Sequence, residues 1–199
     1  GEKMVPDMWR NGGWPAHVGL LITVVNQQEA DRDIPKLLEL KARLGIPWVG
    51  LSVEPMLGAI DLRIPFSGAH VNSLIGAMPA LPPLDWVICG GESGHKARPM
   101  HPDWAGGLRD QWEAASVPFL FKQWGEYADH TETHCNSEEC RANSDIVITK
   151  KGHVIGAGYK MQGSVVDDWQ EQGGAWMCRV GKKAAGRKLD GRTQDGFPE

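Results

Sequence analysis

The sequence predicts an α/β protein whose strands run parallel and are joined by helical crossovers. Three observations lead there: short apolar runs with little polar alternation, amphipathic helical stretches between them, and polar residues where each run ends. Runs without alternation indicate strands covered on both faces, the habit of parallel sheets. In such sheets the functional residues gather at the C-terminal ends of the strands.

The first run is Val18 to Val24, ending at Asn26. Gln27 to Leu44 then places Ala30, Ile34, Leu37, Leu38 and Leu44 on one side, the spacing of a helix with a buried face. Pro47 to Val53 is the second run and ends at Glu54-Pro55, with Ser52 near its end. The third, Asp85 to Cys89, leads into Gly90-Gly91-Glu92-Ser93-Gly94 and then Arg98. A helix over about Pro102 to Ala115 carries Trp104, Leu108 and Trp112 on one face, and the fourth run, Pro118 to Phe121, ends at Lys122-Gln123-Trp124-Gly125. Beyond it the pattern changes. Asp129 to Ser144 is polar and irregular, Asp145 to Ile155 reads as a β-hairpin turning at Lys151-Gly152, and Gly156 to Ala175 is Gly-rich and reads as loop.

The Gly90-Gly91 pair has two readings. Glycines at a strand end let the backbone pass close to a bound group, with Glu92, Ser93 and Arg98 offering charge and hydrogen bonds, or they form only a tight turn. Glu54 precedes a proline that favours extended angles and so aims its carboxylate away from the strand end. It suits hydrogen bonds from a ribose or amino group, or a base; a structural ion pair with Lys122 or Arg98 is the other reading. Glu92 and Ser93 suit a nucleoside or an amine, and Arg98 and Lys122 suit a carboxylate or phosphate. No Ser-His-Asp set, phosphate-binding loop or HExxH motif is present.

The chain has 199 residues, 41% hydrophobic, enough for one main core. No apolar stretch spans a bilayer and no signal peptide is visible, so no membrane contact and a cytoplasmic location are expected. The chain starts at Gly1 rather than Met, so further residues are expected to precede it. A net charge of -4 argues against a general nucleic-acid-binding surface but allows a local basic patch. Of nine tryptophans, Trp48, Trp86, Trp104 and Trp112 read as core, whereas Trp124 reads as core or as a platform for a planar ligand. Met177 to Arg192 gathers Arg179, Lys182, Lys183, Arg187, Lys188 and Arg192 against Asp190 alone. These cations suit phosphates of a nucleic acid; a solvated segment, or a clasp packed through Leu189 and Phe197, is the alternative.

Four ordered strings carry a resemblance: LSVEPMLGAIDL (Leu51 to Leu62), WVICGGESGHKARPMHPDW (Trp86 to Trp104), PFLFKQWGEY (Pro118 to Tyr127) and RVGKKAAGRKLDGR (Arg179 to Arg192). With NQQEADRDIP (Asn26 to Pro35) they resemble a phage and prophage family of unknown function, the phage gp thirty-seven / gp sixty-eight family. Its full-length members are similar to radical S-adenosylmethionine proteins. The resemblance implies a TIM-like β/α barrel preceded by a three-cysteine cluster holding a [4Fe-4S] centre, with S-adenosylmethionine chelating the open iron. This chain has no such cysteine cluster, so the resemblance assigns it the later strands of an incomplete barrel, with the missing N-terminal barrel half as its partner. The implied division is a partial barrel over 1–127, a variable insertion with a hairpin over 128–176, and a basic C-terminal segment over 177–199 that packs back on the barrel. Glu54, Glu92, Ser93, Arg98, Lys122 and Gln123 match the family pattern and, with Asn26, Ser52 and Trp124, are the candidate pocket residues. Val25 stands where a Glu is usual and Cys89 where an aliphatic residue is usual; Cys89 reads as a buried core thiol.

Cys135 and Cys140, spaced C-x4-C with His130 and His134 upstream, suit either a zinc site or a solvated loop with reduced thiols. Cys178 stands alone. The expected function is therefore cluster-dependent chemistry of the longer protein on an unknown substrate, a nucleic acid or nucleotide among the classes considered. The alternatives are a non-enzymatic nucleic-acid-binding or interaction protein that uses the basic segment, and an inactive remnant.

Overall fold

The computed structural model describes residues 5–76, 81–129, 146–157 and 173–198. A short helix α1 (Asp7–Arg10) precedes β1 (Leu20–Thr23), α2 (Gln27–Leu44) and β2 (Val49–Val53). After β2 come a hairpin of β3 (Arg63–Phe66) and β4 (Ala69–Asn72), then β5 (Trp86–Gly90), α3 (Pro102–Ala114) and β6 (Phe119–Gln123). Strands β1, β2, β5 and β6 pair in that order, all parallel. Each new strand adds on the same side of the last, so right-handed crossovers lay α2 and α3 on one face.

The strand registers sort the side chains. Leu51 and Val53 align with Val87 and Cys89, these with Phe119 and Phe121, and Val49 lies on the same face one pleat below Leu51. All seven are buried, in one core with Ala30, Ile34, Leu37 and Leu38 of α2 and Trp104, Leu108 and Trp112 of α3. The opposite face carries Leu21, Thr23, Ser52, Trp86, Ile88, Leu120 and Lys122, and every one of them is half-buried or exposed. The expectation of strands covered on both faces is therefore corrected: apolar residues continue on this face, but no helix among the described residues covers it.

Helix α2 starts at a reciprocal cap. The Asn26 side chain accepts from the Glu29 amide at 3.0 Å, and the Glu29 carboxylate accepts from the Val25 amide at 3.0 Å. The helix ends at Gly45 with φ 62°, a left-handed position that suits glycine. Lys41 near its end reaches Asp85 Oδ2 at 2.6 Å and the Pro83 carbonyl at 2.7 Å, and Asp85 also accepts from the Val49 amide. That junction fixes where β2 and β5 begin.

A second sheet, of order β7-β10-β8-β9, contains β7 (Tyr127–Asp129), β8 (Ile146–Ile148), β9 (Val154–Ala157) and β10 (Ala175–Arg179), all antiparallel. The hairpin of β8 and β9 turns through Thr149 to Gly152, whereas β10 overturns the reading of Ala175 as loop and of Met177 as the start of a tail. A four-residue helix α4 (Lys182–Ala185) follows.

The chain then returns to the first sheet. Gln194 accepts from the Phe121 amide at 3.0 Å, Gly196 donates to the Phe119 carbonyl at 2.9 Å, and Asp195 pairs antiparallel with Leu120. Trp86 donates its indole N–H to the Gly196 carbonyl and meets Phe197 at 5.3 Å and Trp48 at 6.1 Å between ring centroids. Trp48 and Trp86 are half-buried, so of the tryptophans read as core only Trp104 and Trp112 lie fully inside.

No helix among the described residues is long and apolar enough to cross a membrane.

Candidate functional site

Three parallel strands deliver polar side chains to their common C-terminal edge. Glu54 follows β2, Ser93 follows β5, and Lys122 and Gln123 close β6. Lys122 Nζ lies 2.8 Å from Glu54 Oε2. The Gln123 amide nitrogen donates to Glu54 Oε1 at 3.1 Å and to Ser93 Oγ at 3.0 Å. Gln123 is 7% exposed, so the cluster has a buried amide at its base. The Glu54 side chain is 20% exposed and that of Lys122 51%, which puts the ion pair where the open face of the sheet meets solvent. Ser52 lies one pleat below on that face.

Beside this cluster, Glu92 and Arg98 form a two-pronged pair at 2.8 and 2.9 Å, and the Arg98 amide also donates to Glu92 at 2.8 Å. The hydrogen-bonded Arg98 guanidinium holds the Glu92 carboxyl below its usual range against the opposing effect of burial. A depressed carboxyl stabilises the fold above its unfolded pKa of about 4.3 and loses that contribution as pH falls through the lower folded value. Arg98→Met is therefore expected to melt below the unsubstituted protein at pH 7, and the gap should narrow progressively as pH falls below about 4.3. Melting curves across that range check it, and a gap that persists undiminished at lower pH would show that Arg98 acts through packing instead.

The glycines serve the chain itself. A Cβ on Gly91 would stand 1.9 Å from the Trp124 carbonyl oxygen, and one on Gly125, where φ is +85°, would stand 2.1 Å from the Glu92 oxygen. The two strand ends thus cross backbone on backbone, and the glycines are needed for that crossing. A Cβ on Gly90 would meet the Glu54 carboxyl carbon at 3.3 Å, so Gly90 leaves room for that side chain.

Other predicted residues lie elsewhere or are already engaged. Asn26 caps α2. Trp124 is 3% exposed, packs edge-on against Phe121 and donates to the Lys188 carbonyl, so its indole belongs to the core and offers no free platform. Arg179 reaches back to the Gly94 and His95 carbonyls at 3.1 and 2.8 Å and lies over the Tyr127 ring. Arg187 pairs with Asp195. Lys182 and Lys183 are exposed on α4. Leu189 is buried, whereas Phe197 is 59% exposed despite its contact with Trp86.

Glu126 is the residue that sequence reasoning passed over. Its amide donates to the Glu92 carbonyl, its carboxylate accepts from the Gly94 amide, and its carbonyl accepts from Val180 and Gly181. The signal was present, since Glu126 lies within the Pro118 to Tyr127 string.

The thiols give no metal site among the described residues. Cys89 and Cys178 are buried in different sheets, and burial, with Glu54 nearby, pushes the Cys89 thiol up. No group of three His, Cys, Asp or Glu side chains that could hold a metal occurs among the described residues. His130, His134, Cys135 and Cys140 lie outside them.

The chain belongs to a family described as protein of unknown function (DUF5131), whose model matches residues 2–198. No match was found among curated proteins or among solved structures.

Proposed function

We propose that this chain supplies one wall of a binding site for a nucleoside that carries an amino-acid group, within a longer β/α-barrel protein of the radical S-adenosylmethionine kind and of phage or prophage origin. One observation carries the reading: Glu54, Ser93, Lys122 and Gln123 come from three parallel strands and join in one hydrogen-bonded cluster at their C-terminal edge. The strand order without reversal, with both crossover helices on one face, supports an open barrel, unclosed at β6 where Gln194 to Gly196 pair, whose remaining strands belong to an N-terminal half. Its open face would then line the interior.

The donor set suits S-adenosylmethionine. Glu54 would accept from the ammonium, Lys122 would donate to the carboxylate, and Ser93 and Gln123 would bond ribose hydroxyls. Lys122 already holds Glu54, so a zwitterion entering between them exchanges one ion pair for two without leaving a charge unpaired. When bound, S-adenosylmethionine supplies a reactive sulfonium. An iron-sulfur centre does not fit the described residues, because the described thiols are buried in separate sheets and three neighbouring thiolates are needed.

Titration calorimetry with S-adenosylhomocysteine, which keeps the amino-acid and nucleoside groups, tests the reading. Glu54→Gln and Lys122→Met are each expected to weaken binding about tenfold, about 1.4 kcal/mol, with melting temperature unchanged. Absence of binding, or binding indifferent to both substitutions, would overturn it.

A further inference from the structure

We infer that the rim of this edge is a track for single-stranded nucleic acid, formed jointly by the loop after β5 and the segment that runs from β10 into α4. The inference rests on the proposed ligand site and extends it to the class of substrate presented there.

Two stretches far apart in sequence are stitched together at Glu126. On one side, Gly94 donates to the Glu126 carboxylate; on the other, Val180 and Gly181 donate to the Glu126 carbonyl. Arg179 closes the junction by donating to the Gly94 and His95 carbonyls. The loop that carries His95 and Lys96 is thereby tied to the segment that leads into α4, where Lys182 and Lys183 stand. Lys96, Lys182 and Lys183 are exposed and form no ion pair among the described residues.

The acids nearby are Glu54, Glu92, Glu126 and, on β7 beside α4, Asp129. Glu92 is held by Arg98, Glu54 by Lys122, and Glu126 by the Gly94 amide. Lys96, Arg179, Lys182 and Lys183 outnumber Glu126 and Asp129 along the rim, so on a chain whose net charge is -4 the positive excess is local to this edge. The burden falls on a composite of loop and helix. Arg179 and Arg187 of the basic segment are committed to internal contacts.

What the rim borders decides the polyanion. Ser93, Gln123 and Glu54 offer a hydroxyl, an amide and a carboxylate side by side, suited to a sugar or the polar edge of a base. A nucleotide reaches such a floor only when it is unpaired, while neighbouring phosphates lie along the lysines.

Fluorescence anisotropy of a labelled oligodeoxythymidylate of about 16 nucleotides, titrated with the full chain at several salt concentrations, tests this. Binding is expected to weaken with salt by about 0.7 log units per phosphate contact for each tenfold rise in salt. The combined variant Lys96→Ala, Lys182→Ala, Lys183→Ala should reduce that slope by about 2 and retain the melting temperature of the unsubstituted protein. No binding at low salt, an unchanged slope in the variant, or equally tight binding of polyglutamate would overturn the inference. The three lysines lie outside the Glu54 cluster. If the oligonucleotide fails while S-adenosylhomocysteine still binds, the inference falls and the edge site stands; if both fail, both fall.

Discussion

Gly91→Ala is expected to destabilise the protein by about 3 kcal/mol, at the upper end for forced overpacking. In a chain of this size that is a fall of about 6–12 °C in melting temperature. The added carbon would lie 1.9 Å from the Trp124 oxygen and 2.6 Å from its carbonyl carbon. Those atoms are backbone, so no rotamer change relieves the contact. The loop must move, and Glu92 and Ser93 move with it. Gly125→Ala meets the Glu92 backbone from the other side at a positive φ, and because both substitutions open the same crossing, their effects should sum to less than additivity. Denaturant melts of the two single variants and the double variant measure this. A Gly91→Ala protein as stable as the parent would show that the strand ends can separate freely.

The second large effect lies in the core. Trp112 of α3 is 0% exposed, and its indole N–H has no hydrogen-bond partner among the described residues. Trp112→Ala is expected to lose about 4 kcal/mol through lost burial and the cavity left behind, a fall of about 8–16 °C. Trp112→Phe should lose much less. It keeps an aromatic ring in the core beneath α3, and it removes a buried donor that has no acceptor among the described residues. Thermal unfolding of both variants separates the two contributions. Equal losses would mean that the N–H is satisfied after all.

Periodicity carried the first sheet and its helices. The spacing from Gln27 to Leu44 and from Pro102 onward coincides with α2 and α3 within a residue, because a helix with one buried face writes its period into the chain. Shorter elements left weaker marks. β7 is three residues long, and β3 contains Pro65 and exposed Arg63, so neither alternation nor propensity singled them out, whereas β8 and β9 fall within the hairpin read over Asp145 to Ile155. The uncovered sheet face was misread for a different reason. Trp86, Ile88 and Leu120 are apolar whether a neighbour covers them or not, and composition does not reveal the neighbour.

The candidate site divides in the same way. Residue types at strand ends pointed to Glu54, Ser93, Lys122 and Gln123, which the fold does bring together. Which cation meets which carboxylate depends on the register of β5 against β6, a long-range property. Gly90-Gly91 suggested a bound group, yet the atoms approaching Gly91 belong to Trp124, remote in sequence. For Arg179 and Trp124 the sequence left a binding and a structural reading open, because the hydrogen bonds that engage them come from distant loops.

The residues from Gln194 to Gly196 make the parallel sheet asymmetric in how it can be extended. They occupy the outer hydrogen-bonding positions of β6, while β1 has a strand beside it on one side only among the described residues. Among the described residues, the place left for a further strand is next to Leu20 to Thr23, as a left neighbour to a row occupied on its right. A ring closed through β6 would first require the C-terminal residues to peel away, taking with them the carbonyl that receives the Trp86 indole N–H. Extension of the sheet is directional among the described residues, with β1 free on one side and β6 occupied by Gln194 to Gly196.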